Sequence, residues 1–248
     1  MKHLLSHVRR CVEDYDMIKK GDRIAVGISG GKDSLCLLYA LANLRRFYPN
    51  SFELEAITLD MGFEGLDFSG IGTLCNQLEV PYTVIKTDIA PVVFEARQET
   101  NPCSLCAKMR RGALHDAALQ KNCKTVALGH HFDDAVETFL LSLFFEGRIN
   151  CFSPVTYLDR KGITSIRPML YLQEREVLKL KEKYNFPVVH NPCPVDGHTK
   201  RQYIKDTLRN LERENPGLRE RFFGAIQRSE LEGWKPIRTE RRRKKYES

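Results

Sequence analysis

The sequence has no apolar run that is long enough to cross a membrane. Its longest apolar stretch, residues 138–145, is far shorter than the about 20 residues that a spanning helix needs. We also expect no secretory signal, because Arg9, Arg10 and Glu13 interrupt the apolar residues near its start. Eight cysteines in 248 residues do not make a disulfide scaffold, so we expect reduced thiols in a cytoplasmic protein without a membrane partner.

Two common nucleotide-binding motifs are missing as well. Walker A requires Ser or Thr directly after its lysine, but Asp33 follows Lys32 here, and the Gly-x-Gly-x-x-Gly of dinucleotide sites is absent. The sequence has instead Ser-Gly-Gly-Lys-Asp-Ser at residues 29–34, between a strand-like and a helix-like apolar segment. Glycine amides, a lysine and a helix N-terminus favour a phosphate-binding loop.

Acidic residues are fewer than basic residues in this sequence. The chain carries 39 Lys and Arg against 32 Asp and Glu, a formal net charge of +7. Residues 237–248 form a basic tail that contributes to this excess. The excess fits either a polyanionic partner or an ordinary solvated surface, and the tail either contacts phosphates or is a solvated end.

Apolar strand-like segments alternate with helix-like ones along the chain, which predicts an α/β fold with a doubly wound, mainly parallel five-stranded sheet. We expect one domain over residues 1–236, with a leading helix (1–20), a sheet core (21–170) and C-terminal helices (171–236). In such sheets ligands bind beyond the carboxyl ends of the strands. The loop of residues 29–34, Asp60 and the pair Gly129-His130 are all expected at that edge.

The chain contains a single C-x-x-C pair, Cys103 and Cys106. Asn101 is a candidate helix N-cap, so both thiols would lie at a helix N-terminus, which favours the thiolate. A zinc site would need further ligands, and the candidates are Cys193, His190 and His198. A redox pair and an iron–sulfur cluster with three thiolate ligands are the other interpretations.

Residues 129–134, Gly-His-His-Phe-Asp-Asp, follow the predicted fourth strand. Gly129 permits a close approach of backbone. Asp133 and Asp134 at a nucleotide edge indicate Mg²⁺ binding or a proton acceptor, although one of them could simply cap the next helix. His130 is a candidate nucleotide contact or an ordinary structural histidine.

The loop resembles the PP-loop of the ATP pyrophosphatases. Four further strings occur in a fixed order: CSLC before RRG, GHH before DD, IRPM before Tyr171, and NPC. This set, over residues 24–205, is similar to that of the TtcA family of tRNA 2-thiocytidine synthetases. The resemblance implies ATP, Mg²⁺ and a [4Fe-4S] cluster as cofactors, and tRNA and a sulfur donor as partners; we also consider a homodimer.

The resemblance also implies roles for individual residues. Those expected to bind the nucleotide are Ile28, Ser29, Gly30, Gly31, Lys32, Asp33, Ser34, Leu59, Asp60, Gly129 and His130. Those expected to act in catalysis are Lys32, Asp33, Arg110, Asp133 and Asp134. The expected cluster ligands are Cys103, Cys106 and Cys193, which leave one iron without a protein ligand and free to hold sulfide.

The activity implied by the resemblance is sulfur insertion into RNA. The C2 oxygen of a pyrimidine, cytidine 32 of tRNA in that family, attacks the α-phosphate of ATP and pyrophosphate leaves. Sulfur then attacks C2, and AMP departs with the oxygen. Two alternatives are a PP-loop enzyme that thiolates or amidates another base or a small molecule, and a non-catalytic module that binds metal and RNA.

Overall fold

The computed structural model describes residues 2–96, 102–190, 192–193 and 199–237. The strands are β1 (Asp22–Ile28), β2 (Phe52–Asp60), β3 (Tyr82–Lys86), β4 (Thr125–Ala127), β5 (Val155–Leu158) and β6 (Ile163–Ile166). The helices are α1 (Lys2–Asp14), α2 (Lys32–Leu44), α3 (Ser69–Gln77), α4 (Ile89–Pro91), α5 (Pro102–Gln120), α6 (Phe132–Leu141), α7 (Glu174–Lys183), α8 (Lys200–Glu214) and α9 (Leu218–Arg228). Short π-helical turns continue α4 (Val92–Ala96) and α6 (Ser142–Glu146).

Within these described residues, one sheet has six strands in the order β3-β2-β1-β4-β6-β5. The first five of these are parallel to their neighbours, and β5 is antiparallel to β6. The mainly parallel sheet is confirmed, but it has six strands and not five. Strands β5 and β6 form an antiparallel hairpin, and both join the sheet through the pairing of β6 with β4. The strand order reverses between β1 and β4, and such a switch point is where ligands bind.

Helices cover both faces of the sheet, as a doubly wound fold requires. Along β1, Ile24, Val26 and Ile28 pack in the larger core, while Ala25 packs in a smaller core against α5. This alternation is the two-residue period of a strand that is buried on both sides. β1 is therefore the central strand, and its carboxyl end carries the phosphate loop.

The leading helix is shorter than predicted, whereas the C-terminal helices pack onto the sheet core. The leading helix ends at Asp14, because Asp16 takes a left-handed φ of 50° and the following residues connect irregularly to β1. At the other end Trp234 is fully buried, and its indole N–H donates to the carbonyl of Phe152 (2.9 Å). This contact ties the C-terminal helices to the sheet core, while the basic tail from residue 238 lies outside the described residues. No described helix has the length and apolarity that a membrane span requires.

Candidate active site

The phosphate loop, residues 29–34, is held open by its own hydroxyl groups. The backbone N–H and the hydroxyl of Ser29 both donate to Ser34 Oγ (3.2 Å each), and that hydroxyl donates to the carbonyl of Gly31 (2.9 Å). Gly30 has a φ of +82°, and a Cβ there would lie 3.1 Å from Val189 Cβ. No side chain in the described part of the chain caps the start of α2, so its first N–H groups remain available to an anion.

Gly129, at the end of β4, lies against the backbone of this loop. A Cβ at Gly129 would lie 3.1 Å from the carbonyl carbon of Asp33 and 3.1 Å from the backbone nitrogen of Ser34. Backbone atoms cannot move aside as a flexible side chain can, so a Cβ at this position would force the loop or β4 to shift. The close approach joins the two sequence motifs that were predicted to share one edge of the sheet.

A cleft of about 400 Å³ opens beside the loop, at the carboxyl ends of β1, β2 and β4, with α5 as its far wall. The predicted residues that line it are Ile28, Ser29, Asp33, Ser34, Leu59, Arg110, Gly129, His130 and Asp134. Five of the residues predicted for nucleotide binding or catalysis do not line the cleft. Three of them lie in the loop at its rim, Gly30, Gly31 and Lys32, and the other two are Asp60 and Asp133. Arg111 and His115 of α5 also line the cleft, and His115 was missed because it lies beyond the CSLC and RRG strings of that helix.

Lys32 is held by two carboxylates on different elements. Its ammonium lies 3.0 Å from Asp33 Oδ2 and 3.1 Å from Glu174 Oε1, and Lys205 contacts Glu174 at 3.1 Å. Burial alone would lower the pKa of Lys32, but the two carboxylates outweigh it and raise that pKa. Burial would likewise raise the pKa of Glu174, but Lys32 and Lys205 lower it to about 2. Lys32 is therefore fully charged near the loop, as phosphate binding requires.

His131 connects Asp33 to the start of α6. Its Nε2 lies 3.5 Å from Asp33 Oδ1, and its Nδ1 accepts from the backbone N–H of Asp134 (3.4 Å). The Asp134 carboxylate in turn accepts from the backbone N–H of His131 (2.9 Å), which completes a capping box. Burial would raise the pKa of Asp134, but the neighbouring histidines and Arg201 outweigh it and lower that pKa. Asp33 and Asp134 thus face the cleft with fixed orientations.

Asp133, in contrast, has both carboxylate oxygens engaged outside the cleft. One oxygen accepts from the backbone N–H of Glu174 (2.7 Å), at the start of α7, and the other pairs with Arg219. Its side chain is almost fully buried. The geometry gives Asp133 a role in docking α7 and α9, and favours Asp134 as the carboxylate that acts in the cleft.

His130 lies on the wall of the cleft in its neutral form. Burial and, next, the positive charge of Arg167 lower its pKa to about 4. Its ring lies 4.9 Å from that of Phe152, and its Nδ1 has no hydrogen-bond partner among the described residues. A neutral imidazole with an unpaired nitrogen can accept or donate a hydrogen bond to a bound nucleotide or base.

The thiols of Cys103 and Cys106 lie in the first turn of α5, whose later residues line the cleft. Cys106 packs against Ile89 and Val93, and burial raises the pKa of its thiol. Negative charge on Cys193 and Cys103 raises that pKa further, whereas the positive charge of Arg110 lowers it. Cys193 is therefore a neighbour of the pair, as the third predicted ligand must be.

These three thiols fit an iron–sulfur cluster by chemistry: soft ligands, a partly apolar wall and an adjacent cation. Within the described ranges, no three His, Cys, Asp or Glu side chains lie close enough together to hold one metal ion. A cluster is wider than a single ion, so its ligands lie further apart. The other five cysteines are buried, consistent with small core residues: Cys11, Cys36, Cys75, Cys123 and Cys151.

Three site residues had no sequence signal: Glu174, Arg201 and Lys205. His131 lies in the GHH string, but that string did not reveal it as the partner of Asp33. Arg201 reaches Asp134 (3.4 Å) and the fully buried Glu137 (3.2 Å). Burial raises the pKa of Glu137 to about 7, because these cations only partly offset the lost hydration. Glu174 follows Lys32 by more than 140 residues, so no local spacing could reveal the contact.

Comparison with known families matches residues 2–212 to the PP-loop domain. The chain belongs to the PP-loop family. This PP-loop protein is 40% identical to a "tRNA-cytidine(32) 2-sulfurtransferase" of Geobacter metallireducens, over 88% of this chain and 86% of that one. A protein of the same name from Teredinibacter turnerae is 37% identical over 92% of this chain and 76% of that one.

Solved structures agree with the sequence relatives. The U34-tRNA thiolase NcsA from Methanococcus maripaludis, solved with its [4Fe-4S] cluster, superimposes with a TM-score of 0.75. Its sequence is 27% identical to this PP-loop protein, over 90% of this chain and 76% of that one. The resemblance drawn from the motifs is thereby confirmed.

Proposed function

We propose that this protein is an ATP-dependent tRNA sulfurtransferase that replaces the C2 oxygen of a pyrimidine, cytidine 32, with sulfur. One observation carries the proposal: Arg110 lines the cleft beside the phosphate loop, and its positive charge also lowers the pKa of the Cys106 thiol. Arg110 therefore lies between the phosphate loop and the thiols, which do not themselves line the cleft. The names of the relatives and of the structural neighbour supply the substrate class.

The chain's own residues account for the activation half of the reaction. The loop amides, Ser29 and Lys32 bind the phosphates of ATP, and Lys32 neutralises the charge that grows on pyrophosphate as it leaves. Asp33 and Asp134 supply carboxylate oxygens that would hold Mg²⁺. The C2 oxygen of the base attacks the α-phosphate, so one P–O bond forms as the bond to pyrophosphate breaks.

The second half of the reaction, the transfer of sulfur, uses the thiols that lie beside Arg110. Cys103, Cys106 and Cys193 would hold a [4Fe-4S] cluster, which supplies an iron without a protein ligand for carrying the incoming sulfur. Arg110, between the thiols and the phosphate loop, is placed to orient the base and to stabilise the negative charge of AMP as it departs. His130, neutral at physiological pH, is placed to hydrogen-bond the base.

The test is anaerobic turnover on tRNA that lacks thiolation, with ATP and a sulfide donor. Nucleoside mass spectrometry should detect 2-thiocytidine, and pyrophosphate release should require tRNA. Lys32→Ala should lower the rate by on the order of 100-fold or more. Lys19→Ala removes an exposed lysine before the amino end of β1, paired only with Asp16 among the described residues, and should leave the rate unchanged.

Two results would separate this proposal from its alternatives. Pyrophosphate release without tRNA would indicate a small-molecule substrate. Thiolation of tRNA at a base other than cytidine would retain the reaction and overturn the cytidine assignment.

A cytoplasmic location follows from the tRNA substrate and is part of the proposal. The sulfur donor and a homodimer remain predictions.

A further inference from the structure

The π-helical turn after α6 exposes large apolar side chains to solvent. Residues 143–150 are all exposed, and Phe144 has 51% of its surface accessible. Tyr203 of α8, which lies across from this turn, is 59% exposed. We call Phe144, Phe145 and Tyr203 the aromatic patch. Exposed apolar surface of this kind usually marks an interaction site, because it is unfavourable in water.

The rings of the patch are arranged around a shallow cleft of about 500 Å³. Phe145 and Tyr203 meet edge to face, with ring centroids 6.0 Å apart. The ammonium of Lys200 lies 4.9 Å from the centre of the Phe145 ring. The patch therefore combines open aromatic faces with a cation that is held beside them.

Charge around the patch is mainly positive. The two segments that form it, residues 142–150 and 199–203, contain Arg148, Lys200 and Arg201 but a single carboxylate, Glu146. Arg201 is paired with Asp134 and Glu137, which leaves Arg148 and Lys200 to face outward. An apolar surface with outward cations complements an anionic partner that has flat apolar groups.

The patch also lies close to the candidate active site. Arg201, between Lys200 and Tyr203 in α8, contacts Asp134, which lines the active-site cleft. Phe144 follows Asp134 by ten residues on one continuous helix, an axial distance on the order of 15 Å. Phosphates of one strand are about 3.4 Å apart along a helical axis, so this distance corresponds to only a few nucleotides.

We propose that the aromatic patch stacks unpaired bases of the RNA next to the target nucleotide, an inference that rests on the proposed function. Single-stranded RNA offers flat base faces for stacking and phosphates for Arg148 and Lys200. Paired bases in a helix cannot reach these rings. The patch thus selects an unpaired loop as substrate, and the active-site cleft selects the base.

The experiment compares two RNA probes bound to the full-length protein: a tRNA anticodon stem-loop and a fully paired duplex of the same length. Phe144→Ala and Tyr203→Ala should each weaken stem-loop binding about 5- to 150-fold, the range of base–aromatic stacking. Duplex binding should change less than twofold. Phe47→Ala is the matched control, because Phe47 is also 51% exposed but lies on the turn after α2.

Three results would overturn the inference. They are wild-type stem-loop affinity in both patch variants, an equal loss of stem-loop and duplex binding, and a patch variant whose sedimentation shows a changed oligomeric state. The last would make the patch an interface between protein chains. If the wild type binds no stem-loop at all, the proposed function itself fails, which is a distinct outcome.

Discussion

Gly129→Ala tests whether the close approach of β4 to the phosphate loop shapes the nucleotide site. The added methyl group would meet three backbone atoms of Asp33 and Ser34 at 3.1–3.2 Å, inside normal contact distance. The loop must shift by a few tenths of an ångström, or β4 must. Overpacking of this kind costs about 1–3 kcal/mol.

That cost must appear either in stability or in nucleotide affinity. If the loop moves, ATP should bind about 5- to 150-fold more weakly at unchanged stability, since about 1.4 kcal/mol corresponds to tenfold. If the loop holds, the free energy of unfolding should fall by the same amount. Equilibrium binding of ATP measures the loss in binding free energy, and denaturant unfolding of the same preparation measures the loss in stability. The two losses together should amount to about 1–3 kcal/mol.

Gly112→Ala is the matched control, because a Cβ at Gly112 of α5 has no neighbour within 4 Å. It should leave ATP affinity unchanged and stabilise the helix by up to about 1 kcal/mol. Wild-type affinity together with wild-type stability in Gly129→Ala would refute the reasoning, because the contact would then exert no force on the loop.

Three further predictions concern the carboxylates and the thiols. The wild type should retain about four irons per chain after anaerobic purification. Cys193→Ala should lose them, whereas the control Cys123→Ala should keep them. Zinc without sulfide in the wild type would contradict the cluster. Asp134→Asn should lower turnover at nearly normal stability, whereas Asp133→Asn should lower the free energy of unfolding by about 3–5 kcal/mol, and the reverse pattern would exchange their roles. Burial raises the pKa of Glu137 to about 7 in the folded protein, so its protonated form stabilises the fold at low pH, and this contribution is lost as pH rises toward 7. The free energy of unfolding of the wild type should therefore fall by about 3 kcal/mol between pH 5 and pH 8, whereas that of Glu137→Gln should not. Parallel curves of unfolding free energy against pH for the two proteins would exclude this.

The sequence predicted the elements of this fold well because periodicity and glycine punctuation are local signals. The loop of residues 29–34 and the pair Gly129-His130 were placed at one sheet edge by the rule for parallel strands, and both line the cleft or its rim. The extra strand was missed because a hairpin shows that two strands pair with each other, not whether they join a sheet. The early end of α1 was missed because apolar spacing continues through Met17 and Ile18, which are buried without being helical.

Individual roles were harder to predict than positions, since a side chain's role depends on partners that are distant in sequence. Asp133 and Asp134 are adjacent and chemically identical, yet one meets Arg219 and the start of α7, and the other faces the cleft. Successive residues of a helix point about 100° apart, so two neighbours face different surroundings. The local sequence pattern could therefore identify the pair as candidates, but it could not show which of the two faces the cleft.

The charged contacts around the loop explain how α8 can influence nucleotide binding without touching the nucleotide. Lys205 of α8 shares the Glu174 carboxylate with Lys32 (3.1 Å each), while Arg201, one turn earlier, holds Asp134. When phosphate oxygens attract Lys32, Glu174 keeps a cationic partner in Lys205 and does not become an unpaired, half-buried charge. That second partner lowers the electrostatic cost of releasing Lys32. α8 also carries Tyr203 of the aromatic patch. In our proposal the same helix therefore contacts RNA, orients Asp134 and supports Lys32 through Glu174.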